Sequence, residues 1–301
     1  MNQTTIQRVM TCSGIGLHSG NQVNVTLRPA PANTGIVFEI HTSDGIRRVS
    51  PTPRAVLTTE LATTLGTSGA SVSTVEHLLA TILGLGIDNL IISVEGGEIP
   101  IMDGSASAFV ELFARAGIRT LPVSRKVMRV NRPMEYRSGM KSISARPHAG
   151  FRVSYTIDFP HPVIGRQHIS MDVTPATFAR VANARTFGFY RDVEYLHSHG
   201  LARGGSLASV IVLDDNGVMN PEGLRYRDEF VRHKLLDFIG DMAMLGTPIQ
   251  GDFEVRCSGH QINNEFLRKL EDEQALSLVD TAEERRHGRL APAYEGSLAL
   301  A

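Results

Sequence analysis

Apolar and polar residues alternate over residues 22–28, where Val23, Val25 and Leu27 share one face, the signature of a half-buried strand. A Pro- and Asn-containing break at 29–34 follows, and a second strand is predicted at 36–41. Residues 73–83 change to helical spacing and stop at Gly84 and Gly86. A buried strand is expected at 89–94 and a second helix at 107–116, closed by Gly117. The rhythm then repeats. Strands are predicted at 127–130, 141–146, 151–158, 210–213 and 253–257, and helices at 174–181, 192–199, 227–245 and 263–273. Asp214-Asp215-Asn216-Gly217 supplies a turn, and Gly246 and Pro248 stop the longest helix.

Both parts mix strands with two main helices, so the expected fold class is α+β. Pro122 and the Ser124-Arg125-Lys126 run interrupt the pattern and place a boundary near 121–126. This gives a first domain at 1–124, a second at 125–280 and a loosely held tail at 281–301. With 301 residues, 42% hydrophobic and 20% charged, the chain can bury a sizeable core without staples. A net charge of -1 implies no general attraction to nucleic acid or anionic membrane. The first residues lack the apolar run of a secretory signal. The most apolar stretch, 78–92, is broken by Gly84, Gly86, Asp88 and Asn89, well short of the ~20 residues of a membrane span. Cys12 and Cys257 read as reduced thiols of an intracellular protein.

Chemistry enters on the longest helix. Its core face carries Val231, Leu235, Leu236, Phe238, Ile239 and Met242, and the opposite side carries a stripe of His233, Asp237 and Asp241 with Lys234 beside it. The i, i+4 spacing lets His233 and Asp237 reach one ion, and both are good zinc ligands. Alone, the stripe reads more readily as a solvated face, the usual fate of polar residues opposite a core face. At the start of the 73–83 helix, Ser73 and Glu76 fit a capping box, which accounts for Glu76 structurally. Glu76 beside His77 also suits a hydrolytic metal site, where the imidazole holds the ion and the carboxylate takes a proton from water. Ser258-Gly259-His260 follows a predicted strand, at the kind of loop where catalytic side chains concentrate. Thr186, within Ala184-Arg185-Thr186-Phe187-Gly188-Phe189, says little by itself.

Together these segments resemble the bacterial UDP-3-O-acyl-N-acetylglucosamine deacetylase family. The resemblance is carried by Gly14-Ile15-Gly16-Leu17-His18-Ser19-Gly20, by residues 27–35, by Ser73-Thr74-Val75-Glu76-His77, by residues 84–89, and by Glu98-Ile99-Pro100-Ile101-Met102-Asp103-Gly104-Ser105. Residues 184–189, 228–237 and 258–260 complete it, and it runs from about residue 6 to 270.

The resemblance implies two two-layer α/β sandwich domains with the active site between them. It implies His77, His233 and Asp237 as Zn2+ ligands and Glu76 as general base. His260 would be a second catalytic group, either a general acid or a positive charge near the oxyanion, and Asp241 the carboxylate that orients and charges it. Thr186 would be a hydroxyl donor to the oxyanion, and Lys234 a residue near the polar part of the substrate. Three protein ligands leave an open coordination position, the catalytic arrangement. The implied substrate is a UDP-linked acylated N-acetylglucosamine of lipid A synthesis, handled by a monomer in the cytoplasm of a Gram-negative type of cell. Phe187 is expected at the substrate. Apolar residues of the second domain, Leu196, Leu201 and Leu207 with Tyr195 and Val210, are candidates for an acyl groove, or else simply fill a local core. Two competitors stand beside this reading: a zinc amidohydrolase for another acylated amide, and a catalytically inert zinc- or nucleotide-binding module.

Overall fold

A computed structural model describes residues 1–286. The fold is α+β, and the described sheets divide by sequence. A five-stranded sheet has the order Met10–Ile15, Gln22–Pro29, Leu90–Glu95, Ile36–Thr42, Gly45–Val49. Its centre, Leu90–Glu95, is antiparallel to Gln22–Pro29 and parallel to Ile36–Thr42. A three-stranded sheet, Val56–Thr58, Thr64–Thr67 and Ala70–Val72, lies beside it in sequence. A seven-stranded sheet is built from strands of residues 126–280. Its hub, Ile249–Arg256, pairs antiparallel with Lys141–Arg146 and parallel with Phe151–Phe159 and Lys126–Val130. No described strand pair crosses residue 125.

Around the expected boundary the strands follow one another closely. Pro122 lies inside the strand Ile118–Ser124, which pairs with Asn2–Ile6 alone, so its missing N–H costs no ladder bond in a larger sheet. The next strand begins at Lys126, leaving Arg125 as the entire connection. Arg125 donates to Asp88 Oδ2 at 2.8 and 3.0 Å and to the Gly86 carbonyl. It thereby clasps the end of helix α1, Glu76–Leu85, whose cap is Gly86 at φ 71°.

The other helices are α2 (Ser107–Ala116), α3 (Pro175–Ala182), α4 (Val193–Ser198), α5 (Glu229–Met242), α6 (His260–Asp272) and α7 (Thr281–Arg286). Helices α5 and α6 cover one face of the seven-stranded sheet through edge-to-face aromatics: Phe253 lies 5.9 Å from Phe238 and 6.5 Å from Phe266, centroid to centroid. Helix α1 crosses α5 at Gly240, where a Cβ would lie 2.1 Å from the Glu76 carbonyl oxygen. It meets α3 at Gly84, where a Cβ would strike the Phe178 ring. Glycine at these two positions lets the helices approach this closely.

The expected tail starts with structure. Thr281 is buried, its hydroxyl bonds the chain's first residue, and α7 follows. The part of the tail beyond 286 lies outside the described residues. Among the described residues no helix is long and apolar enough to cross a membrane. Cys12 and Cys257 are free thiols.

Candidate metal and acid–base centre

Glu76 and His77 are the first two residues of α1. The capping box does not form: the N-cap is Val75, and no side chain caps the helix. Ser73 instead pairs its backbone with Gly97 and Ile99. The backbone turns into the helix through Thr74, held at φ 58°, a sterically costly conformation for a β-branched residue. The Thr74 hydroxyl and the His18 N–H both donate to Oε1 of buried Glu98, at 3.0 and 2.9 Å, and the Ser19 N–H donates to its Oε2 at 3.0 Å. One carboxylate thus joins three of the recognised sequence blocks, 14–20, 73–77 and 98–105.

The stripe on α5 is not a solvated face. His233, Asp237 and Asp241 are each under 5% exposed, because α1 covers the side that lacks the sheet. Helical spacing therefore located the side chains and misjudged their surroundings. His233 Nε2 stands 3.2 Å and His77 Nε2 3.5 Å from Asp237 Oδ1. The two imidazole rings lie edge to face at 5.0 Å, and one ligand atom from each of the three residues falls within 4.8 Å of the others. His233 Nδ1 donates to the Ala184 carbonyl at 3.1 Å, since a carbonyl can only accept, and this leaves Nε2 as the free nitrogen. Burial, reinforced by His233, keeps the His77 ring towards its neutral form, as a metal ligand requires. Burial works against a charge on Asp237, but neighbouring His233 and Lys234 outweigh it and hold the carboxyl well below its usual range. Two imidazoles and one carboxylate suit a divalent cation such as zinc.

A second cluster adjoins the first. His260, the first residue of α6, places Nδ1 2.8 Å from Asp241 Oδ2 and Nε2 3.8 Å from Glu76 Oε1. Burial disfavours the imidazolium, yet the Asp241 carboxylate prevails and raises His260 to about 9. Burial pushes Glu76 up to about 7, against the opposing pull of His260. Lys234 donates to Asp237 Oδ2 at 2.7 Å and stands 5.8 Å from the centre of the Phe187 ring.

Thr186 is placed by backbone bonds from two directions: its N–H donates to Gly104 at 2.8 Å, and its carbonyl accepts from Ile211 at 2.8 Å. Its neighbour Arg185 is buried and donates through Nε to Glu229 at the start of α5 at 3.0 Å. Sequence reasoning gave Arg185 and Glu229 no part, although both lie within recognised blocks, 184–189 and 228–237. It also missed Thr63, Asn263 and Tyr155, which together with Ser258 of the recognised 258–260 block surround Asp241 and the segment before His260. Nothing in the local pattern singles these out, because their significance depends on chain segments far apart.

A cavity of about 320 Å³ opens over both clusters. Glu76, His77, His233, Asp237 and His260 all line it, together with Lys234, Thr186 and Phe187. Leu196, Leu201 and Leu207 do not line it. They lie on the segment carrying α4; Leu207 is 41% exposed and none of the three is buried, so they do not fill a core. That segment touches the cavity wall through Gly204, whose N–H donates to the carbonyl of cavity-lining Leu17 at 3.0 Å.

The chain is similar over its length to proteins of one description. It is 62% identical over 278 residues to the UDP-3-O-acyl-N-acetylglucosamine deacetylase of Nitratidesulfovibrio vulgaris, covering 92% of this chain and 90% of that one. It is 56% identical over 303 residues to the protein of the same description from Lawsonia intracellularis, covering 100% of each. It is 57% identical over 299 residues to that of Oleidesulfovibrio alaskensis, covering 97% of this chain and 98% of that one. A sequence model of the UDP-3-O-acyl N-acetylglycosamine deacetylase family matches residues 3–272, and with the site geometry in view this chain belongs to that family.

Proposed function

We propose that this chain is a zinc-dependent hydrolase of UDP-3-O-(3-hydroxyacyl)-N-acetylglucosamine. It releases acetate and leaves UDP-3-O-(3-hydroxyacyl)-glucosamine, the committed step of lipid A synthesis. The observation that carries this reading is the convergence of His77, His233 and Asp237 beside the Glu76–His260 pair, in one cavity of a chain of this family. When bound, zinc polarises the acetamide carbonyl and eases ionisation of a water towards pKa ~7.

The chain's own groups supply the rest. His77, His233 and Asp237 hold the ion. Glu76, raised to about 7, accepts the proton of the attacking water near neutral pH. Protonated His260 and the Thr186 hydroxyl balance the negative charge that develops on the carbonyl oxygen. His260 then donates its proton to the departing amine, and Asp241 holds the ring for both tasks. Lys234 and Phe187 form the substrate-side wall, and Leu196, Leu201 and Leu207 line the path of the acyl chain. In this reading residues 1–124 and 125–280 form two sandwich domains bridged by the cation, and the protein works as a cytoplasmic monomer. The test is incubation of the metal-loaded protein with the UDP-sugar, with both the free amine and acetate measured. Equimolar release of the two supports the assignment, and an intact acetamide under zinc-replete conditions refutes it.

A further inference from the structure

Thr63, which no functional role has reached so far, touches Glu76 and also Asp241, the carboxylate that holds His260. It is 2% exposed and stands just before the strand Thr64–Thr67. Its backbone N–H donates to Glu76 Oε2 at 3.2 Å. Its hydroxyl lies 2.7 Å from Asp241 Oδ1, and it must donate there, because an ionised carboxylate only accepts. Its carbonyl in turn accepts from Val75, the residue that caps α1. The other Asp241 oxygen, Oδ2, is taken by His260 Nδ1 at 2.8 Å and Asn263 Nδ2 at 2.7 Å. Asp241 therefore cannot rotate about its carboxylate axis without losing a bond on one side or the other. Glu76 comes from the first part of the chain, and Asp241 with His260 from the second. Among the described residues, Thr63 alone bonds the carboxylates of both Glu76 and Asp241.

We propose that Thr63 is a positioning residue of the proposed deacetylation: it fixes the Glu76 carboxylate and, through Asp241, the His260 ring in mutual register. The inference rests on the acid–base reading of Glu76 and His260. A hydrogen bond to a charged, buried acceptor has the size to matter, because its loss is worth about tenfold in a rate that depends on it. Thr63→Val keeps the shape and the backbone N–H and removes only the hydroxyl. Thr63→Ser keeps the hydroxyl.

The experiment is steady-state deacetylation by the zinc-loaded full chain, with zinc content and melting temperature recorded for each variant. Thr63→Val is expected to lose about tenfold in kcat, to change KM by less than about twofold, and to keep its zinc. Thr63→Ser is expected to recover to within about threefold of the parent. Because the hydroxyl acts through Asp241, adding Thr63→Val to Asp241→Asn is expected to cost less than about a further twofold. A parent-like kcat for Thr63→Val overturns the inference, and so does a full additive loss in the double variant. Loss of zinc or folding that Thr63→Ser does not reverse also overturns it. If the valine variant fails to fold, Thr63→Ala takes its place in the same comparisons. The underlying reading fails separately: a fully active Glu76→Gln removes the acid–base assignment itself, whereas an inactive Glu76→Gln beside a normal Thr63→Val removes only the role of Thr63.

Discussion

The two helices that meet at the candidate centre deliver their side chains in opposite ways. Helix α5 uses regularity: His233, Asp237 and Asp241 follow one another at i, i+4 and i+8, and the helix geometry alone aligns them. Helix α1 uses an irregularity: Glu76 and His77 sit at its very start, aimed by Thr74 at φ 58° and by the Glu98 carboxylate behind it. A regular stripe survives modest change along its length. A pair placed by one strained turn depends on a few contacts outside the helix.

That contrast yields tests of graded size. The largest concerns Glu76, the α1 contribution with a proposed chemical rather than ligand role. Glu76→Gln is expected to lower kcat by about 10² to 10⁴ while zinc content stays at the parent level, read by turnover and elemental analysis. Loss of zinc in this variant would mean that the two α1 residues do not divide their tasks as argued.

The α5 side is probed by Asp241→Asn. Asp241 raises His260 from 6.5 to about 9 against the effect of burial, so the ring is protonated below about 9 and neutral above it. A rate that needs the protonated ring falls as pH rises through that value. Removing the Asp241 charge leaves burial dominant, so the alkaline limb of kcat/KM is expected to move to lower pH, with a loss of about 10- to 100-fold near pH 8. An unmoved limb would detach His260 from that limb.

The crossing point itself is tested by Gly240→Ala. Alanine normally favours a helix over glycine by up to about 1 kcal/mol. Here its Cβ would lie 2.1 Å from the Glu76 carbonyl oxygen, so a net destabilisation of about 1–3 kcal/mol is expected in denaturant melts, together with reduced activity. A stabilised variant would show that α1 gives way there without cost. The smallest effect is expected at Thr74→Gly. Glycine relieves the strain of a positive φ but forfeits the bond to Glu98, so the net change in stability is expected within about 1 kcal/mol.

The same contrast explains how much was legible in the sequence. Elements with clean periodicity were read well: the helix Ser107–Ala116 and the strand Lys141–Arg146 match their expected bounds. The strands Met10–Ile15 and Gly45–Val49 passed unnoticed, because edge positions rich in Gly, Ser and Arg show no strong apolar alternation. The α5 stripe was found by its spacing, but spacing cannot report that a second helix buries it. The capping box at Ser73–Glu76 was a sound local inference, overridden because the long-range partners of Ser73 and Glu76 claim their polar groups. Thr63 and Asn263 were invisible for the same reason: each matters only once segments 178 and 22 residues apart from Asp241 are folded against it.

The central claim is that residues from two distant segments grip one cation. Anomalous diffraction at the zinc absorption edge, on crystals of the metal-replete protein, tests it most directly. The account predicts one strong peak per chain, at about 2.0–2.2 Å from His77 Nε2, His233 Nε2 and an Asp237 oxygen. A peak bonded to other residues, or replete crystals with no peak among these three, would contradict it.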